Sequence, residues 1–368
     1  MRQNLVEDMD SQVHTETKVI LSAAKHYVKE QRSRVGQLRE ACYDLFLFSL
    51  VGALYWSAAS TERWWISSLY GILLGLVGVH LVLLMHDCLH DAAFNSSQLN
   101  TWVGRIIGAY GWVPFSFIRI SHKKHHSNAG TERHDPEILH YTKAFADRRK
   151  CGHLLANIGH SRFIGPLLYP ILYQAIDFYE WFVSAIKENR PEELKAVGLD
   201  LLCMLVFWGI GLGVLAAQGY LVRGLVFGSL IPFAVGLSTT FYFARPLHCM
   251  NYSGDHFSNA HTVVRSLLVC RSFEVRGWTA LLLFNFNFHI EHHIHPRVSR
   301  WYLGKFSRSL RGDLVKISKN EGIPFLMHKS YISWMKTYRK LNQKYNPILS
   351  LNDFRFWNRN FLSKSEIV

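Results

Sequence analysis

The stretch Phe286-Asn287-Phe288-His289-Ile290-Glu291-His292-His293-Ile294-His295 sets three imidazoles at positions i, i+3 and i+4. On a helix these lie on one face and converge on one point. The spacing recurs in His122-Lys123-Lys124-His125-His126, and a two-histidine form, His86-Asp87-Cys88-Leu89-His90, precedes both at i and i+4. Histidine makes up 20 of 368 residues, so multiplying frequencies gives about 0.06 chance matches to H-x-x-H-H. Two are present, and three such clusters predict one metal site assembled from three places.

Outward from the clusters lie long apolar runs: Cys42 to Ala59, Trp65 to Met85, Val197 to Ala217 and Leu225 to Ala244. Each approaches or exceeds the roughly 20 residues that cross a bilayer. The expected fold is an all-α integral membrane protein with four transmembrane helices in two hairpins, interfacial helices and a cytosolic, histidine-rich di-metal site. The hairpins turn at Ser60-Thr61-Glu62-Arg63 and around Gln218-Gly219-Tyr220, with Trp56, Trp64 and Trp65 as an interfacial aromatic belt. Parity returns the chain to its starting side at each cluster, so the multi-pass chain has both termini and all clusters on the cytosolic face.

Three organisational segments follow: 1–41, a cytosolic N-terminal segment; 42–296, a membrane-embedded catalytic domain; and 297–368, a basic cytosolic C-terminal segment. Lys18 to Glu40 reads as a weakly amphipathic helix, and nothing before Cys42 resembles a cleaved secretory signal. Ala92 to Phe117 is broken by glycines and Pro114, which predicts a re-entrant or interfacial helix. Phe163 to Ile186 is broken by Gly165, Pro166 and Pro170 and is expected to lie along the membrane surface. Trp278 to Phe288 is about half a span and leads into the last cluster.

Net charge is +14, which first suggests nucleic acid. The Lys and Arg cluster in Lys25 to Arg39, Arg119 to Lys124, Arg148 to Lys150 and Arg297 to Lys340, flanking the apolar runs, which is the positive-inside pattern instead. No nucleic-acid module or nucleotide-binding glycine signature is visible. Six cysteines without framework spacing argue against a disulfide scaffold.

Four imidazoles saturate a tetrahedral zinc, whereas eight or more suggest two ions. Nitrogen-rich sites suit zinc, copper, iron and nickel. The lack of a thiolate cluster, and of a path of Asp or Glu through the spans, favours redox iron over a transporter.

The motifs H-x-x-x-H at His86 and His90, H-x-x-H-H at His122 and H-x-x-H-H at His289, in that order around two membrane hairpins, resemble the membrane-bound fatty acid desaturase and hydroxylase family. His134-Asp135-Pro136 after the second motif and Pro296 after the third strengthen the likeness, which covers roughly Met85 to Pro296. The resemblance implies two non-haem irons at the cytosolic face, held by His86, His90, His122, His125, His126, His289, His292 and His293. It also implies a further ligand between the fourth span and the last motif, for which His248 is chosen and His256 and His261 are alternatives. Dioxygen is the implied co-substrate. Electrons would come from a separate ferredoxin or small haem cytochrome with its reductase.

The expected activity is oxygen-dependent desaturation of a fatty acyl lipid. A hydroxylase or ketolase acting on a carotenoid, sterol, alkane or sphingolipid is the alternative within the family. A zinc-dependent membrane hydrolase or metal carrier is the alternative outside it. An unactivated C–H bond has no acidic proton, so a cofactor must supply the oxidant. The protein then owes the chemistry an apolar tunnel that positions one methylene and excludes water, and Tyr70 to His80 with Phe233 to Phe243 could line it or simply pack. Asp87, Asp91, Asp135, Glu137, Asp255 and Glu291 could orient imidazoles through their second nitrogen or be solvated loop residues. Asn128 and Asn287 could hold a water on the metal or cap a helix. His80 reads as a packed span residue, while His134, His140, His153, His160 and His295 read as outer residues. Phe286 and Phe288 could pack the reacting lipid or anchor the half-span. The basic surface near His122 and after Pro296 would attract an acidic donor or anionic lipid.

Overall fold

Each apolar run becomes a helix longer than itself, because the hydrogen-bond ladder continues into the residues that flank it. The computed structural model describes residues 2–129, 135–136, 154, 158, 161, 164–244, 247–248, 262–275, 278–320 and 327–328. Four of its helices are long and apolar enough to cross a membrane: α2 (Arg34–Ser60), α3 (Trp64–Leu89), α7 (Pro191–Ala217) and α8 (Leu221–Ala244). The shortest has 24 residues, about 36 Å at about 1.5 Å per residue, against a hydrocarbon core of about 30 Å.

Packing divides the chain into two compact units, one of residues 37–124 with 148–243 and one of residues 1–36 with 125–147 and 244–368. In the first, the α2–α3 turn at 61–63 and the α7–α8 turn at 218–220 lie together. Arg223 donates to the Thr61 carbonyl at 3.4 Å, and the Trp56 and Tyr220 rings meet at 5.7 Å. Gly219 turns the second hairpin at φ +72°, where a side chain would strain the backbone. Both hairpins therefore point the same way, and His86 lies at the opposite end of α3 from their turns. Helices α3 and α8 approach closely through Gly71 and Gly75, whose added Cβ atoms would fall 2.6 Å from the Phe227 carbonyl oxygen and 2.7 Å from Val235 Cβ. A π-turn at Val226–Leu230 interrupts α8 beside them.

Ala92 to Phe117 forms no single interfacial helix. It holds α4 (Ser97–Tyr110), capped by the Ser96 hydroxyl on the Leu99 amide at 3.2 Å, and the start of α5 (Phe115–Asn128). Gly111 closes α4, Trp112 takes a left-handed φ of 59°, and Pro114 lacks the amide that would continue the helix. The expected break in the following segment is also absent, since α6 (Gly165–Lys187) runs on through Pro170. Pro166 falls in the first turn, where its missing amide costs nothing, and Pro170 removes one bond near the same end.

In the second unit, α1 (Arg2–Gln31) packs on α12 (Arg300–Asn320). The Gln31 amide donates to the Arg297 carbonyl at 2.9 Å and accepts from the Ser299 amide at 3.0 Å. Between them in sequence lie α9 (Thr262–Val269), strand β1 (Ser272–Phe273), α10 (Trp278–Leu283) and α11 (His289–Ile294). Strand β1 pairs in parallel with β2 (Met327–His328). The half-span is thus not one helix into the last histidine motif. Phe284 and Asn285 turn left-handed at φ 44° and 67°, and Asn285 donates to the Arg300 carbonyl at 2.9 Å. That turn, wedged against Gly304 of α12, stops α10 and restarts the chain as α11.

Candidate metal centre

In the first unit, α3 carries His86 in its last turn and has His90 as its C-cap residue, while α5 presents His122. Their rings form a near-equilateral triangle, with centroids 5.0 Å apart for His86 and His90, 4.7 Å for His86 and His122, and 4.9 Å for His90 and His122. The i, i+4 spacing brings the first pair together, as a helical reading requires. Helix α5 is anchored along its length: Arg119 pairs with Asp91 and donates to Thr101 at 3.1 Å, and Ser121 donates to Asp177 at 3.0 Å.

In the second unit, the end of α5 supplies His125 and His126, α11 supplies His289, His292 and His293, and the short segment at residues 247–248 supplies His248. Their Nε2 atoms face one another in pairs: His248 and His289 at 2.9 Å, His126 and His292 at 3.1 Å, His125 and His293 at 3.3 Å. Imidazole–metal bonds of about 2.1 Å place two ligands at right angles about 3 Å apart, so these separations fit nitrogens that share an ion. One potential donor atom each from His248, Cys270, His289 and His293 lies within 4.8 Å of the others.

Cys270 was no sequence candidate. It is fully buried, its Sγ lies 3.9 Å from His248 Nδ1, and a backbone bridge joins the two residues. Nothing local marks it, because it closes an apolar run after α9 like any core residue. His256 and His261, the alternatives to His248, lie outside the described residues, as do His134, His140, His153, His160, Glu137 and Asp255.

Of the carboxylates, Asp135 takes the orienting role: its Oδ1 lies 2.7 Å from His125 Nδ1, with both side chains fully buried. A proton on Nδ1 leaves the Nε2 lone pair directed toward His293. Asp135→Asn is expected to lower metal affinity about 10- to 100-fold, measured by competition with a chelator; unchanged affinity would remove Asp135 from the centre.

The other orienting candidates sit otherwise. Asp91 is held by Arg119, and Asp87 is buried within α3. Glu291 is fully buried but accepts from the Ser272 and Ser307 hydroxyls at 2.6 Å each, tying α11 to β1 and α12. Burial pushes its carboxyl up, partly offset by those two hydroxyls. Asn287 does not cap α11; its amide donates to the Phe273 carbonyl at 2.6 Å. Phe286 packs its ring on His289 at 5.2 Å and His292 at 5.6 Å. His80 is buried, with its Nδ1 2.7 Å from the Tyr43 hydroxyl, as a packed span residue should be.

Burial holds the His293 imidazole well below its ordinary value, and His126, His289, His125 and His248 around it add to the effect. The folded chain therefore keeps it neutral where the unfolded chain binds a proton near the ordinary value of 6.5. The unfolded state takes up more protons on acidification, so stability is full above about pH 6.5 and falls as pH drops below it. The metal-free protein should accordingly melt at a lower temperature at about pH 5.5 than at about pH 7.5; equal melting temperatures would refute a neutral, buried His293.

Beside the first triangle, a cavity of about 180 Å³ follows α3 from Leu74 to Met85, the residue before His86. That is about 16 Å along the helix axis. Gly75, Gly78, Phe233, Gly236 and Thr240 also line it, and Trp112 and Trp208, stacked at 4.5 Å, form part of its wall. The two stretches expected to line an apolar tunnel both contribute.

The fatty acid desaturase family model matches residues 63–320, from the start of α3 to the end of α12. The chain belongs to the fatty acid desaturase family. It is an oxidoreductase of the desaturase type, and its apolar helices and its relatives mark it as membrane-associated. The desaturase is 28% identical to an omega-3 fatty acid desaturase of the endoplasmic reticulum from Vigna radiata, over 79% of this chain and 78% of that protein. It is 24% identical to two Arabidopsis thaliana proteins. One is a chloroplastic sn-2 acyl-lipid omega-3 desaturase (ferredoxin), matched over 75% of this chain and 52% of that protein. The other is an acyl-lipid omega-3 desaturase (cytochrome b5) of the endoplasmic reticulum, matched over 78% and 66%.

Proposed function

We propose that this desaturase introduces a double bond into the acyl chain of a membrane lipid at a di-iron centre. Its ligands are His86, His90, His122, His125, His126, His248, His289, His292 and His293. The observation that carries the reading is the donor set: six buried or half-buried imidazoles whose Nε2 atoms face one another in pairs at 2.9 to 3.3 Å, with no acidic residue among the facing pairs. Iron bound there would supply the oxidant that an unactivated C–H bond requires. Overall, two hydrogens leave adjacent methylenes, a carbon–carbon double bond forms, and dioxygen with two electrons and two protons becomes two waters.

The chain's own residues do the rest. Asp135 fixes the His125 ring, and Phe286 shields one side of His289 and His292. The cavity along α3 would take the acyl chain in extended form and bring a methylene past Met85 toward His86, with apolar walls that exclude water. The positive-inside bias of Lys and Arg supports a cytosolic side for the three histidine motifs.

Electrons come from an external protein. The printed names of two relatives carry ferredoxin in one case and cytochrome b5 in the other. Helix α12 offers an acidic donor an approach: Lys305, Arg308, Lys316 and Lys319 are exposed on its outer face, while Ser307 on its inner face bonds Glu291 between the α11 ligands. The test is expression of the full chain in a host that lacks methyl-end desaturation, followed by lipid analysis. A new double bond near the methyl end supports the reading; an added hydroxyl or keto oxygen instead, or no change in any lipid, contradicts it.

A further inference from the structure

We propose that Asp200, inside the apolar helix α7, is a positioning residue that fixes the start of α5 and through it the place of His122. The inference rests on the reading that His86, His90 and His122 hold a metal. Asp200 is only 2% exposed. Its Oδ1 lies 2.7 Å from Arg105 Nε on α4, and its Oδ2 accepts the backbone N–H of Ser116 in the first turn of α5. The Arg105 guanidinium in turn lies over the Trp102 ring at 5.0 Å.

A helix leaves its first amides without partners, and a cap usually comes from the residue just before it. Here Val113 and Pro114 precede α5 and carry no side-chain acceptor. A carboxylate from another helix takes the role, and its charge suits the positive end of the helix dipole. Helix α7 grips the same corner again two turns later, where Trp208 donates to the Ala109 carbonyl at 2.9 Å and stacks on Trp112. His122 lies six residues beyond Ser116, about 9 Å along the axis. A tilt at the start of α5 therefore moves the imidazole by a distance that matters to ligation. An ionised residue in a spanning helix is costly and tends to be kept for function, and Asp200 has a function to serve even though it forms no path of carboxylates.

The plainer role for the pair is to staple α4 to α7. Two double variants of the full chain separate the roles. D200A/R105M and D200N/R105M both remove the two charges, so neither leaves a lone buried ion, but only the asparagine keeps an oxygen for the Ser116 amide. Each is purified in nanodiscs, stripped of metal and titrated with Co(II) alone, with the visible absorption of the bound cobalt recorded.

The expected result is wild-type affinity and spectrum for D200N/R105M, and about tenfold weaker binding with an altered spectrum for D200A/R105M. Melting temperatures of the two variants should match. Equal behaviour of the two variants, whether both intact or both impaired, overturns the positioning role. A wild-type chain that takes up no cobalt overturns the metal reading on which it rests.

Discussion

His292→Ala abolishes the new double bond, with a loss of at least about 100-fold, the upper end of what disturbing even a ligand's outer partner costs. His292 is 2% exposed, and its Nε2 faces His126 at 3.1 Å. Truncation deletes a donor that no neighbour can replace. Its α11 companions His289 and His293 already face His248 and His125. The missing ring also leaves a void beside Phe286, so the site gains access to water as it loses metal. His26→Ala is the control, since His26 is largely exposed on α1, with its Nε2 4.0 Å from Glu30. Lipid analysis of hosts expressing each variant should show product with His26→Ala and none with His292→Ala. Product from both would remove His292 from the centre.

Gly78→Leu should change which acyl chains are accepted. A Cβ added at Gly78 meets nothing within 4 Å, so the leucine side chain extends into the cavity along α3 without displacing the backbone. Chains that need the full depth should lose about tenfold or more in turnover, about 1.4 kcal/mol, while shorter chains keep theirs. Gly75→Ala makes the instructive contrast. Its Cβ would sit 2.7 Å from Val235 Cβ and 2.8 Å from the Pro232 carbonyl oxygen, so overpacking between α3 and α8 should cost about 1–3 kcal/mol of stability. Melting temperature should fall for Gly75→Ala and chain-length preference should move for Gly78→Leu. A uniform loss across all chain lengths in Gly78→Leu would mean that the cavity does not hold the acyl chain.

What was legible in the sequence was what is encoded locally. Hydropathy over Trp65 to Met85 locates a span because a bilayer-crossing helix must satisfy its backbone within itself. The three motifs reveal themselves because helical spacing alone brings their imidazoles to one face. Asp135 was within reach for the same reason, lying ten residues from His125. Asp200 and Cys270 were not, since their partners lie 84 residues and 22 residues away and each looks unremarkable in its own segment. The turn at Phe284 and Asn285 was hidden because neither residue is a glycine, and contacts with α12 impose the left-handed backbone. Pro170 misled in the opposite direction: a proline usually ends a helix, but one near the N-terminus removes too little to do so.

Two metal ions of one kind, bound by one chain, form the centre of the account, and element-specific mass spectrometry of the purified full-length protein measures them directly. Protein from iron-replete, zinc-restricted cells should carry about two irons per chain and negligible zinc, because eight or more imidazoles exceed what one ion can use. Stoichiometric zinc under those conditions would contradict an oxygen-activating centre and leave the histidines as ligands without redox chemistry.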